Sequence, residues 1–85
     1  MPEFTHRQGQ FLAFIHWYRK LHRRAPAETD MVRFFRVTPP AAHLMVVKLE
    51  ELGLIAKEAG VARSIRVLVS EEEIPKLEDT DGPPW

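Results

Sequence analysis

One stretch constrains the fold more than any other: Thr38-Pro39-Pro40-Ala41-Ala42-His43-Leu44-Met45-Val46-Val47-Lys48-Leu49-Glu50-Glu51-Leu52-Gly53-Leu54-Ile55. It carries its own start, stop and exit. Thr38 stands where a hydroxyl can accept from an amide left unpaired at a helix start, and Pro39 falls at the first helical position, where its missing N–H costs nothing. Gly53 sits where a left-handed residue ends a helix, and Leu54-Ile55 open an apolar exit. The spacing predicts a helix over about 39–52, with Ala42, Met45 or Val46, Leu49 and Leu52 facing the core at three- and four-residue intervals.

Two further helices precede it. Thr5 and Gln8 have capping-box spacing, and Phe11, Leu12, Ile15, Tyr18 and Leu21 recur at helical intervals, predicting a first helix over about 6–23. Phe14 and Trp17 widen its apolar stripe; plain core is the favoured reading, and a dimer seam or a dock for Ile74 and Leu77 are the others. Arg19, Lys20, Arg23 and Arg24 gather in its last turns, where cations suit the helix dipole. Ala25-Pro26-Ala27 breaks the chain, and a short helix over about 28–36 follows, with Glu28 and Asp30 in its first turn and Met31, Phe34 and Phe35 as its core residues.

After the third helix the pattern changes period. Leu54 to Glu58 and Arg63 to Val69 are strand-like, with Ala59-Gly60-Val61-Ala62 as the turn between them. Two short helices followed by a hairpin give a mostly α chain with a small β-hairpin (α+β), the winged helix-turn-helix arrangement of a three-helix body and a two-stranded wing. The predicted organisation is one such domain over residues 1–70 and an acidic, flexible C-terminal tail over 71–85.

Size and charge narrow the function. Eighty-five residues can bury a single modest core but not a core and a catalytic cleft. With no cysteine, thiolate metal sites and cysteine catalysis are excluded. His6, His16, His22 and His43 lack the i,i+4 spacing of metal ligands, so no metal or other cofactor is expected. Neither a glycine-rich phosphate loop nor a nucleophile–base pair is present, and the chain does not read as an enzyme. The longest apolar runs are far short of a membrane span, and no basic-then-apolar leader opens the chain, so a cytoplasmic protein is expected. The net charge of zero conceals an asymmetry: residues 1–69 hold 11 Lys and Arg against 6 Asp and Glu, whereas the last residues are acidic. A basic body with an acidic tail suits a nucleic-acid binder whose tail limits nonspecific contact.

The order of these motifs resembles the DNA-binding domain of the LexA repressor family. Phe4-Thr5-His6-Arg7-Gln8 is similar to that family's "L-T-x-R-Q" opening, and Gly60, Arg63, Ile65 and Arg66 match its wing pattern "G-x-x-R-x-I-R". The stretch Thr38-Pro39-Pro40 with His43, Met45 and Val46 is also similar to the third helix of small MarR-like winged-helix proteins. The resemblance spans residues 4–69 and implies double-stranded DNA as partner and a transcriptional regulator, a repressor, as function. It carries no self-cleaving peptidase domain, so damage-triggered autoproteolysis is not expected of these 85 residues.

The third helix is expected to enter the major groove and the basic wing to lie on the backbone. The expected DNA contacts are Thr38, Pro40, Ala41, His43, Leu44, Val47 and Lys48 on the third helix, with Arg33, Arg36, Arg63 and Arg66 on phosphates; Arg7 and Lys57 are further phosphate candidates. The family places polar residues, Asn and Glu among them, at several positions where this chain has Pro40, His43 and Leu44, so its operator does not transfer. Outward Leu44 and Val47 carry the alternative reading, a winged-helix protein–protein interaction module without specific DNA readout. A homodimer through the apolar first helix is the other partner expected.

Overall fold

Aromatic side chains decide how this chain packs, and caps decide where its helices begin and end. The protein is described by a computed structural model over residues 3–78. The helices are α1 (His6–His22), α2 (Glu28–Phe35) and α3 (Pro39–Glu51), followed by strands β1 (Ile55–Ala56) and β2 (Arg66–Val67) and a single 3-10 turn, Glu71–Glu73. Phe11 of α1 stacks on Phe35 of α2 with ring centroids 4.0 Å apart, and Phe14 lies 4.8 Å from Phe34. Each large apolar side chain taken out of water contributes about 1.5–3 kcal/mol, against about 1 kcal/mol for a cap. The α1–α2 aromatic cluster therefore sets the packing. Ala42, Val46 and Leu49 of α3 complete the same core, with Leu54, Ile55, Ile65 and Val69 from the hairpin region.

Each predicted cap is present. The Thr5 hydroxyl accepts the Gln8 N–H at 3.1 Å while the Gln8 carboxamide oxygen accepts the Thr5 N–H at 2.9 Å. At α3, the Thr38 hydroxyl accepts the Ala41 N–H at 3.3 Å. Leu52, expected to face the core, is exposed instead, and the helix ending explains why. Gly53 takes φ +75°, its N–H bonds to Glu50 O, and the Leu54 N–H reaches back to Leu49 O, each at 3.0 Å. This paired closure folds Leu54 onto Leu49 and gives Leu54 the buried place that an unbroken helix would have given Leu52. Within α3, Val46 rather than Met45 is the fully buried member of that pair.

The paired hairpin is shorter than its strand-like sequence. Only Ile55 with Val67 and Ala56 with Arg66 form antiparallel partners, extended by a Leu68 N–H bond to Leu54 O at 2.9 Å. Ser64 closes the loop between the strands: its hydroxyl oxygen accepts the Glu58 N–H and donates to Val61 O, both at 2.9 Å. These local bonds replace the missing ladder.

The acidic residues after Ser70 begin differently from the flexible tail that their composition suggests. Residues 71–78 run back along α1, with Ile74 and Leu77 packed against the core. Gln10, buried in the middle of α1, clamps the segment at two points: its Nε2 donates to Lys76 O at 2.9 Å, and its Oε1 accepts the Glu78 N–H at 2.8 Å. Gly9 makes room for it, since a Cβ there would stand 2.9 Å from both the Phe4 ring and Pro75 Cγ. The expected tail from 79 to 85 lies outside the described residues. Phe14 is core, as expected, but Trp17 is 38% exposed and lines a largely apolar groove with Leu21, Ile74, Pro75 and Leu77. His16 is half-buried beside Glu71 in the same region. No helix among the described residues is long and apolar enough to cross a membrane.

Two outcomes check this account. Thr38→Ala lowers unfolding free energy by about 1 kcal/mol in chemical denaturation, because one amide of α3 loses its partner. Gly9→Ala loosens the 74–78 segment, so amide exchange at Glu78 accelerates while the α2 and α3 amides keep their protection.

Candidate nucleic-acid interface

The outer face of α3 follows from its burial pattern. With Ala42, Val46 and Leu49 turned to the core, Pro40, Ala41, His43, Leu44 and Lys48 are exposed and Val47 is half-buried. Leu44 is 67% exposed. Thr38 is also exposed, but its hydroxyl is engaged in the cap. His43 and Lys48 are the polar members of this α3 face. The Nδ1 of His43 lies 3.2 and 3.1 Å from the two carboxylate oxygens of Glu28, the first residue of α2.

The expected phosphate contacts divide into two groups. Arg63 is turned inward. Its Nη1 donates to the Ala25 carbonyl at 3.2 Å, to Asp30 Oδ2 at 3.2 Å and, more weakly, to the Tyr18 hydroxyl at 3.4 Å. The residue adopts φ +54°, a left-handed backbone that non-glycine residues seldom take, in keeping with a site held by its side-chain contacts. Arg63 therefore ties the wing loop to the α1–α2 connection and the start of α2. Arg33 also bonds to Asp30, Nη2 to Oδ1 at 3.1 Å, but its side chain remains mostly in solvent. Arg36 closes α2 with φ +55° and is exposed. Arg7 lies over the Phe11 and Phe35 rings, 5.6 and 5.1 Å from their centroids, so part of its role is packing.

Arg66 is exposed on β2 and borders a shallow hollow of about 300 Å³ with Arg19, Lys57, Glu58 and Ser64. A second hollow joins Arg66 to Arg19, Lys20 and Glu71. The wing cation is thus grouped with the end of α1. Arg19 itself donates to Ile65 O at 3.0 Å and so helps hold the hairpin. Arg19 and Lys20 were marked by sequence as a helix-end cluster, but nothing in their spacing placed them beside the wing.

Asp30 is the acidic centre that Arg33 and Arg63 share. It is buried, and burial alone would push its carboxyl up. The Ala27 N–H, donating at 2.7 Å, the Arg63 charge and the Arg33 contact together outweigh that penalty and hold it below the ordinary value of 3.8. The sequence places Asp30 three residues into α2, where it bonds back to Ala27 as the returning half of a capping box. Its bond to Arg63 spans 33 residues and has no local signature.

Among the described residues, three helices, a short antiparallel hairpin and an exposed face on the third helix define a winged helix-turn-helix domain. No family model matches the chain. It is 34% identical to the LexA repressor of Thermosipho africanus over 74 residues, covering 87% of this chain and 37% of that protein. The LexA repressor of Thermotoga petrophila is 34% identical over 78 residues, 91% of this chain and 40% of that protein. The LexA repressor of Petrotoga mobilis is 36% identical over 75 residues, with coverages of 87% and 36%. The chain is similar to LexA repressors across most of its length, and it spans little more than a third of these relatives.

The Asp30 contacts have a testable pH signature. A carboxyl with a lowered folded-state pKa stabilises the fold above its unfolded value, and that stability is lost as the pH falls through the folded value. Stability should therefore decline below about pH 4. In Asp30→Asn this decline should be shallower in thermal melts run across the acid range.

Proposed function

We propose that this domain is a double-stranded DNA-binding transcriptional regulator, a repressor, and not an enzyme. Its third helix enters the major groove and its basic wing tracks the backbone. The observation that carries this reading is the exposed face of α3, flanked by Arg33 and Arg36 at the end of α2, in a chain similar to LexA repressors over 87% of its length. On this reading Thr38, Pro40, Ala41, His43, Leu44, Val47 and Lys48 meet the groove. Ala41, Leu44 and Val47 offer apolar contact to thymine methyl groups, and His43 is the principal hydrogen-bonding group directed at bases.

Arg7, Arg33, Arg36, Lys57 and Arg66 supply the phosphate contacts, while Arg63 places the wing. Such contacts position a domain on the duplex without reading sequence. About five neutralised phosphates give a log–log salt slope of roughly −4 to −5. Arg66→Ala should bring that slope closer to zero by about one, measured by fluorescence anisotropy on a fixed duplex. An affinity that stays flat from low to physiological salt would overturn the reading.

The exposure of Leu44 and of Trp17 with Leu21 supports a second reading, an interaction module that pairs through these surfaces, including a homodimer through α1. Leu44→Glu separates the two. Loss of self-association with DNA affinity intact supports the module; loss of DNA binding in an unchanged monomer supports the reader.

A further inference from the structure

Glu28 and His43 form a pair whose chemistry reaches beyond the ion pair itself. Glu28 stands at the first position of α2, where a carboxylate is favoured by the helix dipole. Its two oxygens both approach the same ring nitrogen of His43, Nδ1, at 3.2 and 3.1 Å. A carboxylate can only accept hydrogen bonds, so the proton between them belongs to Nδ1. A neutral imidazole carries one N–H, and the bond made by one nitrogen determines the state of the other. In the neutral ring Nε2 is then bare and acts as an acceptor. The ring is 56% exposed on the outer face of α3, between Pro40 and Val47.

In the major groove the donors are the N4 amino group of cytosine and the N6 amino group of adenine, whereas guanine and thymine present acceptors at the corresponding edges. An acceptor-only nitrogen pairs with the first two and leaves an unmatched pair of acceptors opposite the others. We propose that His43 determines base specificity for cytosine or adenine at one position, and that Glu28 sets this preference by holding the imidazole in its Nδ1–H form. His43 touches the base; Glu28 is a positioning residue that acts through it. This inference rests on α3 being the groove-reading helix.

The geometry also explains how so apolar a helix can discriminate. The methyl contacts of Ala41, Leu44 and Val47 favour thymine, and a neighbouring acceptor aimed at an amino group supplies the complementary rule. Two sparse signals of opposite kind define a short site without any Arg, Asn or Gln on the helix.

Two measurements test the proposal. Imidazole nitrogen NMR of the free domain at about pH 8.5, with imidazoles as a class uncharged, should show His43 protonated at Nδ1, and Glu28→Ala should shift it toward the Nε2–H form. A wild-type ring already in the Nε2–H form overturns the proposal without reference to DNA. The second measurement is selection from random duplexes at the same pH, followed by competition between duplexes differing at single positions. Wild type should prefer cytosine or adenine over guanine at one position by about fivefold. His43→Ala should abolish that preference there and leave the other positions unchanged. Glu28→Ala should weaken the preference while tightening overall binding, because a negative charge near the backbone is removed; a merely structural role for Glu28 would not produce that opposite pair of effects. Selective binding that both variants leave unaltered overturns this inference alone. No duplex binding at all overturns the proposed function and this inference with it.

Discussion

The Asp30 carboxylate is the point on which the geometry of the domain turns. It gathers the Ala27 N–H, the Arg33 guanidinium and the Arg63 guanidinium, and through Arg63 it reaches the Ala25 carbonyl and the Tyr18 hydroxyl. Those contacts join Tyr18 of α1, the α1–α2 connection and the start of α2 to the wing loop. A buried charge is costly unless it is paired and hydrogen-bonded, and here the pairing also relates the wing to the body. The hairpin needs such a tie, because a ladder of only two residue pairs gives it little rigidity of its own. Arg19, reaching Ile65 from α1, supplies the second tether.

This arrangement changes what the basic residues of the chain mean. Arg63 and Arg66 lie three residues apart in a single wing pattern, yet one faces the body and the other faces solvent. The wing turn separates them, with Arg63 left-handed and Ser64 bonded across the loop. Surface charge therefore resides in Arg66 with Lys57 on the wing, Arg33 and Arg36 around α2, and Arg19 with Lys20 on α1. The segment that follows the hairpin likewise lies against the body. Glu71 lies 3.3 Å from Lys20, and Glu78 lies 3.1 Å from His6. Such exposed pairs contribute little individually. What holds the segment is the Gln10 carboxamide, both ends of which are used, together with the partial burial of Ile74 and Leu77.

Local rules decided the helices, and they were legible in the sequence. Thr5 with Gln8, Thr38 with Pro39, and Gly53 each act over a few residues, so hydroxyl caps, a proline start and a glycine stop identify the elements before any fold is known. The apolar periods of α2 and α3 marked Met31, Phe34, Phe35, Ala42 and Leu49 for the core, where they are found. The winged helix-turn-helix class followed from that order of elements, as did the likeness to LexA repressors. Leu52 was misplaced because helical periodicity was carried through the residue at which the helix actually closes.

The remaining features depend on residues far apart in the chain, and only the tertiary structure decided them. Arg63 pairs with Asp30 across 33 positions, and Gln10 clamps Lys76 across 66. His43 meets Glu28 across 15. An arginine in a wing pattern, a glutamine in a helix and a histidine on an outer face read locally as polar surface. Whether each becomes a latch, a clamp or half of an ion pair depends on which distant group the packing of α1 on α2 and of α2 on α3 brings within hydrogen-bond reach. By itself the sequence determined the elements, their order and the apolar core, because caps and periodicity are short-range. The tertiary structure decided which charges face inward and which remain for a partner, because hydrogen-bond geometry is settled only once the core has closed.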